Sequence, residues 1–152
     1  MNFRSSVLLT LLVVMGASSS FAQSNRVLDL LLAQKEAACA ESAYLALVGG
    51  GWLPEDTTPT EAYALAMGKK WLPKGSSAET PIKLQDFSLL AMRGMKTRGG
   101  VGWTLFRSKR YAYRELIARG VANGSGGPGR IPSGEEVIRM IGQLAEDGGR
   151  LK

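Results

Sequence analysis

The sequence predicts an all-α protein, a small bundle of packed helix-loop-helix repeats that follows a cleaved signal peptide. Apolar residues recur at helical spacing in several segments, and loops rich in Gly and Pro separate those segments. One stretch also matches another without a gap fifty residues later: Ala62-Tyr63 aligns with Ala112-Tyr113, and Asp86-Phe87 with Glu136-Val137. Such an internal repeat is evidence about the fold rather than about a reaction or a ligand.

The first 22 residues have the composition of a secretory signal. Arg4 supplies a positive start, an apolar run covers 7–15, and Ser20 and Ala22 are small residues where a signal peptidase cleaves. The apolar run is shorter than a membrane-spanning helix requires, although an uncut N-terminal anchor remains the alternative. We therefore expect a signal peptide over 1–22, an exported protein, and a single helical domain over 23–152.

Five helices follow from the apolar spacing and from the residues that begin and end them. They are predicted over 26–48, 60–70, 83–96, 109–119 and 134–146, with Asn25, Pro59, Ser108 and Ser133 at their starts. Glu136 lies three residues after Ser133, the spacing of a capping box. The glycines at 99, 100 and 102 predict that 101–107 is extended or irregular, because glycine destabilises a helix interior.

The residue types exclude several chemistries. The chain has no histidine and a single cysteine, Cys39, so zinc, haem and triad chemistry are disfavoured and no cofactor or metal is expected. One cysteine also excludes an intramolecular disulfide. We expect Cys39 to be buried, with an intermolecular bridge as the alternative.

Positive charge is concentrated in the middle of the chain. Residues 69–119 carry twelve basic and three acidic side chains, whereas 23–68 carry two and six. This asymmetry predicts an anionic partner, and export argues against nucleic acid. Aromatic residues lie among the cations, a combination that suits acidic sugars or peripheral contact with a membrane. The candidate ligand-binding residues are Arg98, Trp103, Arg107, Lys109, Arg110, Tyr111 and Arg114; an ordinary solvated surface is the alternative.

The repeat also resembles a known family. Residues 112–124 (AYRELIARGVANG), 132–137 (PSGEEV) and 82–87 (IKLQDF) resemble the S-layer homology (SLH) repeats of bacterial envelope proteins, and place repeats at about 43–66 (partial), 62–97 and 112–146. The resemblance implies anchoring to acidic cell-wall polysaccharide through an arginine at the start of the second helix. That position holds Leu84 and Gly134 here, so this arginine is missing from both copies. Lys83 and Arg130 lie nearby and could replace it.

Three functions follow from these patterns. The first is an exported, non-catalytic envelope module that binds an anionic cell-wall glycan or similar component. The second is a scaffold that assembles with an envelope protein through the helix exits Trp52-Leu53 and Trp71-Leu72, without glycan binding. The third is a hydrolase using Glu55 with Asp56 or Glu135 with Glu136, which is disfavoured because adjacent helical residues point in different directions. The sequence leaves the ligand and the oligomeric state open.

Overall fold

The computed structural model describes residues 23–150, so the predicted signal peptide lies outside the described residues. Seven helices occur in this range: α1 over 23–32, α2 Cys39–Gly49, α3 Pro59–Gly68, α4 Leu84–Gly94, α5 Val101–Phe106, α6 Lys109–Ala118 and α7 Gly134–Arg150. Over the same range there is no β-strand, only an isolated antiparallel bridge between Ala38 and Pro81. The predicted helical class is confirmed. No helix of the described part combines the length and apolar character needed to cross a membrane.

The single helix predicted over 26–48 is wrong, because the chain leaves the helix between α1 and α2. The Ala37 amide donates to the Pro132 carbonyl at 2.9 Å, and the Ala37 carbonyl accepts from the Ile82 amide at 2.8 Å. No glycine or proline occurs between the two helices, so pairing with distant backbone outweighs local helix propensity here. Asn25 lies inside α1 rather than ahead of it, so its predicted capping role is also wrong.

Three helices begin in the same way. The first amide of α2, α4 and α7 would lack a partner within its own helix. Each instead donates to a carbonyl from a distant segment: Cys39 to Thr80 at 3.0 Å, Leu84 to Arg130 at 2.8 Å, and Gly134 to Gln34 at 3.0 Å. The start of each of these helices is therefore hydrogen-bonded to the loop that precedes another of the three. The first residue of each helix is buried.

Close backbone contacts fix where these helices meet. A Cβ atom on Gly134 would lie 1.8 Å from the Leu31 carbonyl oxygen, and one on Gly50 would lie 1.8 Å from the Gly94 carbonyl oxygen. Leu84 is fully buried. Neither Leu84 nor Gly134, the two positions where the SLH resemblance expects arginine, therefore has room for a side chain that reaches solvent.

Residues 101–107, predicted to be extended or irregular, contain the short helix α5. Trp103 is buried and its indole Nε1 donates to the Thr97 carbonyl at 3.2 Å. Cβ atoms on Gly99 and Gly102 would lie 2.4 Å from Trp103 Cδ1 and 2.6 Å from Tyr111 Cδ1. Both glycines admit aromatic rings at close range, and this packing outweighs the cost of Gly102 to the helix.

The remaining helix starts follow local chemistry. Pro59 begins α3, as predicted, and a capping box joins Thr58 to Glu61. Ser133 accepts from the Glu136 amide at 3.2 Å and so caps α7. The predicted return of the Glu136 carboxylate to Ser133 is wrong: it binds the Arg130 guanidinium at 2.7 and 2.5 Å. This pairing raises the pKa of Arg130 and leaves that guanidinium committed to a protein partner.

Cys39 is buried, as predicted, and its burial has a measurable consequence. Desolvation raises the pKa of the thiol to about 11; the hydrogen bond with Ser76 opposes this rise, and the charges of Asp86 and Glu41 add to it. The thiolate is the reactive form, so we expect alkylation of native protein at about pH 8 to be at least about a hundredfold slower than in denaturant. Mass spectrometry of timed iodoacetamide reactions measures this, and equal rates in both conditions contradict a buried thiol.

Candidate functional site

All three tryptophans of the chain line one cleft of about 620 Å³. Trp52 follows α2, Trp71 follows α3, and Trp103 comes from α5. The same cleft is lined by four cationic side chains, Arg93, Lys96, Arg98 and Arg107. In the part of the chain that the structure describes, no carboxylate lies among the lining residues. We call this site the tryptophan cleft.

The ends of the preceding helices position the tryptophans. Helices α2, α3, α4 and α6 all end with a bond from an amide just beyond the helix to a carbonyl five residues earlier, the pattern of a Schellman motif. Its left-handed position is held by Gly51, Lys70, Lys96 and Gly120, with φ of 69°, 58°, 53° and 69°. Two lysines therefore occupy positions that favour glycine, and one of them, Lys96, lines the cleft.

Trp52 and Trp71 form one wall of the cleft. Their rings meet edge to face with centroids 5.4 Å apart, and Trp52 Nε1 donates to the Gly94 carbonyl at 2.8 Å. The Nζ atoms of Lys69 and Lys96 lie 4.3 and 4.7 Å from the centre of the Trp52 ring. These cation-π contacts hold two ammonium groups beside an indole that is 38% exposed.

Arg93 and Arg107 place like charges near each other in the tryptophan cleft. The Arg93 guanidinium lies 5.6 Å from the centre of the Trp103 ring, and its Nη2 donates to the Arg107 carbonyl at 3.1 Å. Its Nε is buried and has no hydrogen-bond partner among the described residues. Burial, and then the charge of Arg107, lower the pKa of Arg93. The charge of a bound anion would oppose this lowering of the Arg93 pKa, because an opposite charge stabilises the cationic form.

The seven residues predicted to bind ligand divide between this cleft and other surfaces. Arg98, Trp103 and Arg107 line the cleft. Lys109 instead pairs with Asp86, at 3.3 Å, and Tyr111 stacks on Phe106 with ring centroids 4.8 Å apart. Arg110 and Arg114 are exposed on α6 and do not line the cleft.

Sequence reasoning missed the contribution of Trp52 and Trp71 to this site, because it assigned them to a protein interface. The signal was present in their matching positions, each directly after a helix and before Leu-Pro. The sequence does not show that Trp52 and Trp71 lie close to the end of α4. The structure joins them through the bond from Trp52 to Gly94.

Neither of the two predicted carboxylate pairs lines the tryptophan cleft. Glu55 and Asp56 are exposed in a turn, and the Glu136 carboxylate is held by Arg130 while Glu135 is exposed. Among residues 23–150 no group of three histidine, cysteine or acidic side chains could hold a metal ion.

No protein-family model, curated protein or solved structure matches this chain. Its fold and site define a small helical protein with a cationic cleft lined by tryptophan.

Proposed function

We propose that this protein is an exported, non-catalytic module that binds an anionic component of the cell envelope, such as an acidic cell-wall glycan, in the tryptophan cleft. The observation that carries the proposal is the composition of that cleft: three indoles and four cations, with no lining carboxylate in the described part of the chain. The signal-like N-terminus supports the envelope location.

The two parts of the cleft supply different interactions. The indoles offer apolar surface on which the faces of sugar rings can pack, while a few polar groups fix orientation. Arg93 and Arg107 offer planar guanidiniums that match a carboxylate or phosphate. The paired rings of Trp52 and Trp71 extend the apolar surface to one side of these charges. The arrangement suits a polymer that alternates ring faces and negative groups.

This proposal differs from the site implied by the SLH resemblance. Leu84 and Gly134 are buried where that family has arginine, and Arg130 is paired with Glu136. The anion-binding role would pass to the arginines of the tryptophan cleft. The scaffolding alternative rests on the exposure of Trp52, which also suits a protein partner.

Binding of defined polymers tests the proposal. The chain from Gln23 onward should bind polygalacturonate, a carboxylated glycan, and not neutral dextran. Affinity should fall steeply between about 0.1 M and about 1 M salt, as the Debye length shortens from about 10 Å to about 3 Å. Tryptophan fluorescence reports occupancy directly, because every indole lines the cleft. Equal binding of dextran, or binding that salt does not weaken, contradicts the proposal; no glycan binding at all favours the scaffold.

A matched pair of lysine variants separates stability from binding. Lys96→Gly and Lys70→Gly each replace a left-handed lysine with glycine, so Lys70→Gly should raise the free energy of unfolding by about 1 kcal/mol. Lys96→Gly should gain less, because it also removes the cation-π contact between Lys96 and Trp52. Only Lys96 lines the cleft. Urea unfolding should therefore show a gain in both variants, whereas titration with polygalacturonate should show weaker binding in Lys96→Gly alone. Equal affinities would exclude Lys96 from the site.

A further inference from the structure

Helix α5 carries three large apolar side chains on the outside of the molecule. Val101, Leu105 and Phe106 are 76%, 70% and 62% exposed, more than any other large hydrophobic residue in the described range. Val101 and Leu105 are four residues apart and share a helix face. Scattered exposed leucines are common, but a contiguous exposed group indicates an interaction surface. We call these three residues the apolar tip.

The apolar tip is supported by specific contacts. Trp103 anchors the inner side of α5 in the core. The Gly100 amide at the helix start donates to Glu115 Oε2 at 3.0 Å, and Phe106 stacks on Tyr111 at an interplanar angle of 13°. The tip is therefore held facing outward by both ends of its helix. None of its three side chains lines the tryptophan cleft, so the tip and the cleft are separate surfaces.

Cations flank the apolar tip on both sides along the chain. Arg98 precedes it, and Arg107 and Arg110 follow it; all three are exposed. No acidic residue occurs between Asp86 and Glu115, and the Glu115 carboxylate is already bound to Gly100 and Arg119. Exposed apolar side chains flanked by arginines are typical of segments that insert into a membrane interface.

We propose that the apolar tip docks on an anionic lipid bilayer, with Val101, Leu105 and Phe106 inserted among the headgroups and the flanking arginines against lipid phosphates. A bilayer fits better than a protein groove because every charged side chain between Asp86 and Glu115 along the chain is cationic, which matches a uniformly anionic surface. Each basic residue near such a surface strengthens binding by about fivefold. Arg98 and Arg107 also line the tryptophan cleft, so lipid phosphates and a bound glycan would share these two arginines, whereas the three apolar side chains lie outside the cleft. The docked tip would hold the tryptophan cleft beside the membrane.

Vesicle sedimentation with matched serine variants tests the tip. The chain from Gln23 onward should sediment with vesicles of phosphatidylcholine and phosphatidylglycerol, and not with phosphatidylcholine alone. The double variant Val101→Ser/Leu105→Ser should bind at least about tenfold more weakly. Leu30→Ser/Leu32→Ser, which changes two exposed leucines of α1, should bind as the parent does. Both variants should retain polygalacturonate binding.

Insertion can be observed directly at the tip. A Leu105→Cys variant can carry an environment-sensitive fluorophore at that position alone, because Cys39 is buried. Its emission should shift to shorter wavelength when anionic vesicles are added. The proposal is overturned if the serine tip variant binds vesicles like the parent, if neutral vesicles bind equally, or if no shift occurs. A shift that grows with protein concentration in the absence of lipid also overturns it, since a second copy of the chain then covers the tip.

Discussion

Replacing Gly134 with alanine should lower the free energy of unfolding by about 3 kcal/mol, near the upper end of the cost of overpacking. The new Cβ atom would lie 1.8 Å from the Leu31 carbonyl oxygen, and 2.5 Å from its carbon. These are backbone atoms, so no side-chain rotation can relieve the clash. The start of α7 would have to move away from α1, and the bond from the Gly134 amide to the Gln34 carbonyl would be lost with it. Urea unfolding followed by circular dichroism measures the change.

The same helix provides the control. Gly142 is exposed on α7, and a Cβ atom there has nothing within 4 Å. Gly142→Ala should therefore stabilise the protein by up to about 1 kcal/mol, from helix propensity alone.

Gly134→Arg, which restores the arginine of the SLH motif, should prevent folding rather than create a glycan site. A folded Gly134→Arg protein with native stability would refute the close approach of α1 and α7.

Removing the Arg93 and Arg107 guanidiniums from the tryptophan cleft should weaken polygalacturonate binding by at least about thirtyfold. The double variant Arg93→Gln/Arg107→Gln loses two charge-assisted contacts, each contributing on the order of 1 kcal/mol or more. The salt dependence of binding should become shallower, because fewer cations meet the polymer. Stability should change little, since the Arg93 charge is already disfavoured by burial and by Arg107.

A second pair of arginines serves as the charge-matched control. Arg110→Gln/Arg114→Gln removes the same net charge from α6, outside the lining of the tryptophan cleft. If binding depended only on net charge, both double variants would lose affinity equally. Unchanged polygalacturonate binding in the control, together with a large loss in the cleft variant, would assign the glycan site to the cleft. The reverse result would move that site to α6.

Local chemistry predicted most helix starts but not where the chain must leave a helix. Pro59 and Ser133 mark α3 and α7 because capping depends on neighbours within a few residues. The break at 33–38 depends on carbonyl and amide groups from around Ile82 and Pro132, and α5 depends on the burial of Trp103. Neither determinant lies among the neighbouring residues that set helical spacing. The sequence pattern therefore predicts one continuous helix across 33–38 and does not predict α5.

The candidate site was only partly predictable for a related reason. Composition identified the cationic segment, and with it Arg98, Trp103 and Arg107. Composition could not distinguish these three residues from Lys109 and Tyr111. Packing decides that Lys109 forms an ion pair and that Tyr111 stacks on another aromatic ring, so neither joins the cleft. Trp52 and Trp71 reach the same cleft from more than twenty residues away in the chain.

By itself, the sequence determined the helical class of this protein, the excess of positive charge over 69–119 and the absence of histidine chemistry. These properties depend on residue type and local spacing, both of which can be read directly from the sequence. Only the tertiary structure decided that three tryptophans share one cationic cleft, that α5 holds an apolar tip in solvent, and that Gly134 has no room for a side chain. Each of those outcomes depends on atoms brought together by close packing across distant segments, where shifts of a few tenths of an ångström matter.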